Sequence, residues 1–300
     1  MNVRGTDDSL DRDLADRVEL SYRQQSQSEH TMGLPSRFTR PGSIDNWRHT
    51  RMLDLTTPLW KDARDSTWLT VGDGRYGSDA AYLHAHGVQV TATSLTDERL
   101  RQAQEHGFIG AYQAENAERI GLAENAVDYV LCKEAYHHFP RPPVALYEML
   151  RVARKAVVLI EPLDNPRILD GLKSLAKLIL RGTGDIDYEP SGNFLYRLNL
   201  RELAKLMSAI NMESIAYRGI NDFYHERFAQ AEANRWSAAT AITRLGIGIQ
   251  DALACMRLLG YGLACAVVFK GRAADGTLHG LENAGFRILH LPRNPYIGQA

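Results

Sequence analysis

The sequence feature that most restricts the folds open to this chain is an apolar run followed directly by closely spaced glycines. Residues Trp68–Val71 predict a strand, Gly72, Gly74 and Gly77 follow in a tight turn, and Ser78–His86 has the composition of a helix. Glycine lets the backbone turn sharply and approach a ligand, and the first N–H groups of a helix attract anions. A strand, a glycine turn and a helix in this order indicate a nucleotide-binding unit, although the same spacing also occurs in plain connectors.

Strand and helix signals alternate from this unit to Pro162. The further predicted elements are strands at Val88–Ser94, Phe108–Gln113, Val127–Cys132 and Ala156–Ile160 and helices at Asp97–His106 and Pro142–Val152. Such alternation implies right-handed crossovers and a parallel sheet, which binds ligands at the carboxyl ends of its strands. The sequence therefore predicts an α/β fold with a doubly wound, mostly parallel sheet.

Helical segments flank this core. We predict a helix over residues 9–24 with Ser9 as N-cap, a polar loop to Ser43, and a second helix that Ser43 caps. After Pro162 we predict a helix over 166–181, a loop over 182–193, a helix over 200–210 capped by Asn199, and mostly helix over 222–260, with strands at 212–218 and 263–270. A short helix around Leu281 and a strand in the segment RILHL complete the tail.

We accordingly divide the chain into an N-terminal helical cap (1–55), a core (56–270) with helical insertions at 166–195 and 222–260, and a C-terminal extension (271–300). A formal net charge of −1 does not favour nucleic acid as a partner. The cysteines Cys132, Cys255 and Cys265 form no CxxC pair, which argues against a disulfide framework or a zinc site. With no signal-like start and no apolar run of membrane-spanning length, we expect a cytoplasmic protein.

Three segments together resemble the class I methyltransferases that use S-adenosylmethionine. VGDGRYG resembles the family's glycine-rich motif, and VTATSLTDERL (90–100) resembles its second strand and the following helix. Residues 115–162 resemble the family's acidic-Ala-Glu loop, its fourth strand, its His-Phe turn and its strand ending in Glu-Pro. The resemblance implies a Rossmann-like sheet of seven strands, methyl transfer to a small molecule, and S-adenosylmethionine as the cofactor.

The resemblance also implies a set of cofactor-binding residues. The glycines would lie under the amino-acid part and ribose of the cofactor, Ser94 stands where an acidic residue usually binds the ribose, and Asn116 and Ala117 stand where the family meets the adenine. The chain departs from the family at Thr70, Ser94 and Asn116, where acidic residues are common. The full predicted set is Gly72, Asp73, Gly74, Gly77, Ser94, Leu95, Asn116, Ala117, Lys133 and Glu134.

The catalytic candidates follow the fourth strand. His137 or His138 would lie beside the methyl group, and histidine suits removal of a hydroxyl proton near neutrality. We prefer His137 as the general base; the alternative is that the histidines pack or bind backbone. Glu134 and Glu161, near strand ends, are expected either to orient substrate or cofactor or to cap the following helices.

Acceptor specificity is expected in the added segments. Arg48, Arg51 and His49 form either an anion-binding group or a solvated helix face, and Trp47 on the same helix is a further candidate. The other candidates are Tyr136, Tyr188 in the 185–193 loop, and Tyr224, His225 and Arg227. The helix predicted at 166–181 is basic and amphipathic, which suits peripheral lipid contact, a lid over the site, or a homodimer interface.

The sequence therefore predicts an S-adenosylmethionine-dependent O-methyltransferase acting on a small-molecule or glycan hydroxyl, with no metal. One alternative is a cofactor-binding relative without catalysis, which the three missing acidic residues suggest. The other is an NAD-dependent oxidoreductase, because GxGxxG is shared. Asp97 fits its expected acidic residue only loosely, and Tyr129 and Lys133 have the Tyr-x-x-x-Lys spacing on a predicted strand, where side chains alternate faces.

Overall fold

Eight strands form one sheet in the computed structural model, which describes residues 13–31, 33–172, 188 and 194–296. The strands are β1 (Thr67–Val71), β2 (Gln89–Ser94), β3 (Ala111–Ala114), β4 (Val127–Lys133), β5 (Ala153–Pro162), β6 (Ser214–Ile220), β7 (Leu263–Phe269) and β8 (Arg287–His290). Their order across the sheet is β3-β2-β1-β4-β5-β7-β6-β8. The chain reverses its direction of growth between β3 and β4, so a crevice opens where β1 and β4 lie side by side.

The first five strands are parallel, and β7, β6 and β8 are each antiparallel to their neighbours. The predicted α/β fold with a mostly parallel sheet is confirmed, but the predicted count of seven strands is too low. The additional strand is β8, in the RILHL segment, where Ile288 pairs with Ala216 at the edge of β6. That segment was predicted as a strand, but its place in the sheet follows from the pairing with β6, which the sequence pattern does not reveal.

Helices cover both faces of the sheet and one of its ends. They are α1 (Leu14–Thr31), α2 (Ser36–Thr39), α3 (Ile44–Leu53), α4 (Thr57–Trp60), α5 (Ser78–Ala85), α6 (Glu98–Glu105), α7 (Pro142–Val152), α8 (Leu200–Ala209), α9 (Glu226–Ala229), α10 (Ala238–Cys255) and α11 (Asp275–Asn283). Two predicted caps are confirmed: Ser43 Oγ accepts from Asn46 N at 3.2 Å, and Asn199 Oδ1 accepts from Arg201 N at 2.9 Å.

The central strands are buried on both faces, so they read as continuous apolar runs. Alternate residues point to opposite faces. Trp68 and Leu131 join a core with α5 and α6, while Leu69 and Val130 join a second core with α7 and α8. Every residue of β7 is buried. This two-sided core makes the strand ends a rigid base for loops that carry function.

The N-terminal cap differs from the prediction. The helix predicted for 9–24 runs instead from Leu14 to Thr31, into the segment predicted as a polar loop, and a short helix follows at Ser36–Thr39. Polar residues are compatible with a helix that is exposed along much of its length, and Arg23 pairs with Glu19 at 3.1 Å, one turn earlier. The proposed cap residue Ser9 lies outside the described residues.

The helix predicted at 166–181 is described only as far as residue 172, and the remainder lies outside the described residues. Among the residues that are described, no helix is both long and apolar enough to cross a membrane.

Candidate functional site

A cleft of about 620 Å³ lies at the carboxyl ends of the parallel strands, beneath the N-terminal helices. Helices α1, α2 and α3 form its roof, and the loops after β1, β2 and β4 form its floor. Of the residues predicted to bind cofactor, substrate or proton, the cleft is lined by Arg48, His49, Gly72, Asp73, Gly74, Ser94, Leu95, Ala117, Lys133, Glu134, His137, His138 and Tyr224. Gly77, Asn116, Trp47, Arg51, Tyr136 and Tyr188 are not part of this lining.

The glycine turn brings bare backbone to the floor of the cleft. Gly72 has φ +76°, and a Cβ there would lie 2.5 Å from the Cβ of Ala135. Gly77 has φ +62° just before α5, and a Cβ there would lie 3.1 Å from Ile109 Cγ2. Both positions therefore need glycine, one for a close loop-to-loop approach and both for the left-handed backbone.

The Asp73 side chain serves the turn itself. Its carboxylate accepts from Thr70 Oγ1 at 2.9 Å, from Ala80 N at 2.9 Å and from Asp79 N at 3.2 Å. It thus satisfies the first N–H groups of α5. Burial, reinforced by the nearby Asp79, raises the pKa of Asp73 to about 7. The hydroxyl of Thr70, where the family often has an acid, holds this carboxylate in place.

At the end of β2 and β3, Ser94, Leu95 and Ala117 reach the cleft, but Asn116 has other partners. Asn116 Oδ1 accepts from Glu118 N at 2.8 Å and from the Tyr22 hydroxyl at 3.1 Å. Both lone pairs of the oxygen are therefore used, so an adenine amino group could bind this oxygen only if one bond broke. Tyr22, on α1, contributes its own side chain to the lining.

Buried charges cluster at the end of β4. Lys133 Nζ lies 3.4 Å from Asp79 Oδ1 and 3.1 Å from Glu134 Oε2. Burial alone would lower the pKa of Lys133, but the two carboxylates outweigh it and raise that pKa. Burial would likewise raise the pKa of Glu134, yet Lys133 and His49 bring it well below the usual value. His49 Nδ1 lies 3.3 Å from Glu134 Oε2, so this cluster ties the roof to the floor.

The turn after β4 orients one of the two candidate histidines. Glu161, fully buried near the end of β5, places Oε2 2.6 Å from His137 Nδ1. Its Oε1 accepts from the backbone N–H groups of Ala135 and Tyr136, each at 3.0 Å. The same carboxylate therefore fixes the turn and the ring that the turn carries. His137 is buried and lines the cleft.

His138 also lines the cleft, and its ring centroid is 3.9 Å from that of His137. Burial, with a smaller contribution from His137, lowers the pKa of His138 to about 3. Its imidazole is therefore neutral throughout the physiological range.

The residues predicted to bind the acceptor differ in their contacts and in their exposure. Arg48 Nε donates to Asp222 Oδ1 at 2.8 Å and Nη1 to Asp45 Oδ1 at 3.1 Å, so its charge is already paired. The guanidinium of Arg51 lies over the Trp47 ring at 5.2 Å. Tyr136 is buried against Phe139 and Tyr196, and Tyr188 is exposed beside Phe194. Neither arginine therefore projects an unpaired charge into the cleft.

Sequence reasoning missed Arg37, Tyr22 and Asp79, which also line the cleft. Within the described residues, the buried Nη2 of Arg37 has no hydrogen-bond partner. A bound nucleoside with an acidic group would supply an acceptor to this buried donor and would pack against the backbone of the glycine turn. The residues present therefore fit the expected cofactor. No sequence signal singled out Arg37, because it lies in a segment that resembles a polar loop.

Comparison with known proteins supports the same fold. Residues 69–160 match the family model described as a methyltransferase domain. A methyltransferase from Burkholderia thailandensis, 1,6-didemethyltoxoflavin-N1-methyltransferase with bound 1,6-didemethyltoxoflavin and S-adenosylhomocysteine, shares 14% identity with a TM-score of 0.51, over 87% of this chain and 92% of that chain.

Two further solved structures are similar over a smaller share of the chain. The YcgJ protein from Bacillus subtilis shares 20% identity with a TM-score of 0.48, over 75% of this chain and 100% of that chain. A SAM-dependent methyltransferase from Methanosarcina mazei shares 15% identity with a TM-score of 0.47, over 72% and 98%. The search among curated proteins gave no match. Residues 69–160 of this chain therefore match a methyltransferase domain, and the sheet has the Rossmann-like fold that the resemblance to the class I, S-adenosylmethionine-dependent methyltransferases implies.

Proposed function

We propose that this protein transfers a methyl group from S-adenosylmethionine to a hydroxyl of a small molecule, with His137 as the general base. The observation that carries the proposal is the 2.6 Å contact between His137 Nδ1 and Glu161 Oε2 in the wall of the cleft. A buried carboxylate beside one ring nitrogen is the arrangement that prepares the other nitrogen to take a proton.

The hydrogen bond selects the tautomer. With Nδ1–H donating to Glu161, the neutral ring has Nε2 as its proton acceptor. The backbone N–H groups of Ala135 and Tyr136 hold the carboxylate, so the ring cannot turn without breaking several bonds. After proton transfer the imidazolium lies against the carboxylate, which stabilises the positive charge. Of the two adjacent histidines, this favours His137 as the base.

S-adenosylmethionine, when bound, supplies a methyl group on a sulfonium that is already a good leaving group. The chain then has to position the reactants and exclude water, which account for much of the rate enhancement in such reactions. The glycine turn offers backbone to the cofactor. Lys133 pairs with both Asp79 and Glu134, so these three side chains together carry one net negative charge at the floor. Helices α1, α2 and α3 cover the cleft and restrict solvent.

Calorimetric titration with S-adenosylmethionine, S-adenosylhomocysteine and NADH tests the cofactor. We expect binding of the first two and none of NADH. Binding of NADH alone would replace the proposal with the oxidoreductase alternative. Binding of S-adenosylhomocysteine by a protein that methylates no member of a broad alcohol, phenol and sugar panel would favour the non-catalytic relative.

Methyl transfer to that panel, followed by mass spectrometry of the products, tests the base. We expect His137→Asn to lower kcat by about 10²- to 10⁴-fold, the range that a general base supplies. Affinity for S-adenosylhomocysteine should stay within about threefold, which is less than half of the roughly 1.4 kcal/mol that a tenfold change in affinity represents. His138→Asn is the matched control, because it removes the adjacent ring of the same turn. Equal turnover in wild type and His137→Asn would exclude His137 as the base.

A further inference from the structure

Arg37 is a half-buried cation of the roof, and one of its guanidinium nitrogens is buried without a hydrogen-bond partner among the described residues. It belongs to α2 and lines the cleft that also contains Gly72 and Gly74. Its guanidinium carbon lies 5.4 Å from the centroid of the Tyr82 ring, so the aromatic face of α5 fixes its position. Within the part of the chain that the structure describes, Nη2 is buried without a hydrogen-bond partner. A donor in this state is unfavourable unless a ligand supplies an acceptor.

The nearest acidic groups have partners of their own. Asp73 and Asp79 lie close enough to act on the charge of Arg37 electrostatically. The Asp73 carboxylate accepts from Thr70 and from the first N–H groups of α5, however, and Asp79 lies 3.4 Å from Lys133 Nζ. This end of the cleft therefore presents a donor fork next to carboxylates that are already engaged, at the helix start that follows the glycine turn.

Such an environment suits an amino-acid group, which carries a carboxylate and an ammonium together. The planar guanidinium matches a carboxylate through parallel hydrogen bonds. Asp79 lies in the same wall, and its negative charge, although shared with Lys133, would attract the ammonium. We infer that Arg37 binds the carboxylate of the methionyl part of S-adenosylmethionine, with Nη2 as a donor. The inference rests on the proposed function, and it makes Arg37 a positioning residue that aligns the far end of the cofactor.

Two ligands that differ only in this carboxylate test the inference. Calorimetry compares S-adenosylhomocysteine with its decarboxylated analogue, S-adenosyl-3-thiopropylamine, in wild type, Arg37→Gln and Arg37→Lys. Loss of hydrogen bonds to a charged group should weaken S-adenosylhomocysteine by about 10- to 100-fold in Arg37→Gln, with the analogue changed by less than about threefold. Arg37→Lys should restore part of the preference, because it keeps the charge but not the fork.

The ratio of the two affinities within each variant is the decisive quantity, because a partly unfolded variant changes both affinities alike. Arg40→Ala is the matched control: Arg40 is exposed, directly follows α2 and donates Nη1 to Gln230 O at 3.2 Å. An unchanged ratio in Arg37→Gln, or equal affinity of wild type for both ligands, would overturn the inference. Failure of wild type to bind either ligand would instead overturn the proposed function.

Discussion

Glu161→Gln separates orientation of the base from support of the fold. Glu161 is fully buried, and its two oxygens bond the backbone of Ala135 and Tyr136 and the ring of His137. Glutamine has nearly the same shape but only one acceptor oxygen. That oxygen should stay with the two backbone N–H groups, since the amide NH₂ would face two donors there. The NH₂ group would then face His137 Nδ1.

The exchange inverts the tautomer. In the wild type a charge-assisted bond, worth about 1.5–3 kcal/mol, favours the tautomer with a proton on Nδ1. In Glu161→Gln the amide donates to Nδ1 and favours the tautomer with the proton on Nε2 by about 0.5–1.5 kcal/mol. Together the two changes shift the tautomer equilibrium by about 30- to 2,000-fold. The population of rings with a basic Nε2 falls only about 3- to 15-fold, because the wild-type ring is already almost entirely in that tautomer, and kcat should fall by at least that factor.

Nitrogen-15 NMR of histidine-labelled protein measures the tautomer without an acceptor, and the His137→Asn variant assigns the resonance. We expect a protonated Nδ1 in wild type and a protonated Nε2 in Glu161→Gln, with affinity for S-adenosylhomocysteine kept. Asp128→Asn is the matched control: Asp128 is a buried carboxylate that accepts from Thr67 N at 3.0 Å at the opposite end of β4. The same His137 tautomer in wild type and in Glu161→Gln would refute the reasoning, and so would an unchanged turnover of Glu161→Gln.

Three further predictions concern the stability of the folded protein: its dependence on pH, on the glycine turn and on a buried ion pair. The pKa of His138 is lowered to about 3 in the folded state and lies below the unfolded value, so the free energy of unfolding is complete above pH 6.5 and falls as acid protonates the unfolded chain. Urea denaturation of the wild type should show a loss of stability between pH 7 and pH 5, and that loss should be about 2 kcal/mol smaller in His138→Asn. Equal losses in the two proteins would contradict this prediction. Gly72→Ala should cost about 1–3 kcal/mol in the same assay, because its Cβ would lie 2.5 Å from Ala135 Cβ at a positive φ; a variant as stable as wild type would count against the turn geometry. Arg48→Ala should cost about 3–5 kcal/mol of stability, because it leaves the Asp222 carboxylate unpaired, whereas an anion-binding Arg48 would show weakened acceptor affinity with normal stability.

The parallel core was predictable because its signals are local. A central strand buried on both faces has to be an apolar run, as Val127–Cys132 is, and a glycine turn follows where the chain bends sharply. Predicted element bounds accordingly differ from the structure by a few residues at most in this part. The eighth strand was predicted as a strand, but its partner depends on which edge is open, which only the assembled sheet decides.

The residues that line the candidate cleft could be predicted only where they belong to a sequence motif. His137 and the glycines belong to motifs, whereas Arg37 and Tyr22 lie in segments without a pattern and reach the cleft only because the cap folds over the strand ends. The sequence also could not show that Arg48 already has partners, because Asp222 is far away along the chain. Arginine near aromatic residues predicts a binding group as readily as it predicts a buried ion pair.

The short strands at the two margins of the sheet bear on how the molecule avoids self-association. β3 and β8 have four residues each, and Arg287 and His290 are exposed at the ends of β8. Margins of this length offer few unsatisfied amides to another chain, and a charged side chain further opposes strand addition. By pairing with β6, β8 replaces a seven-residue rim with one of four residues, which protects the protein against edge-to-edge aggregation.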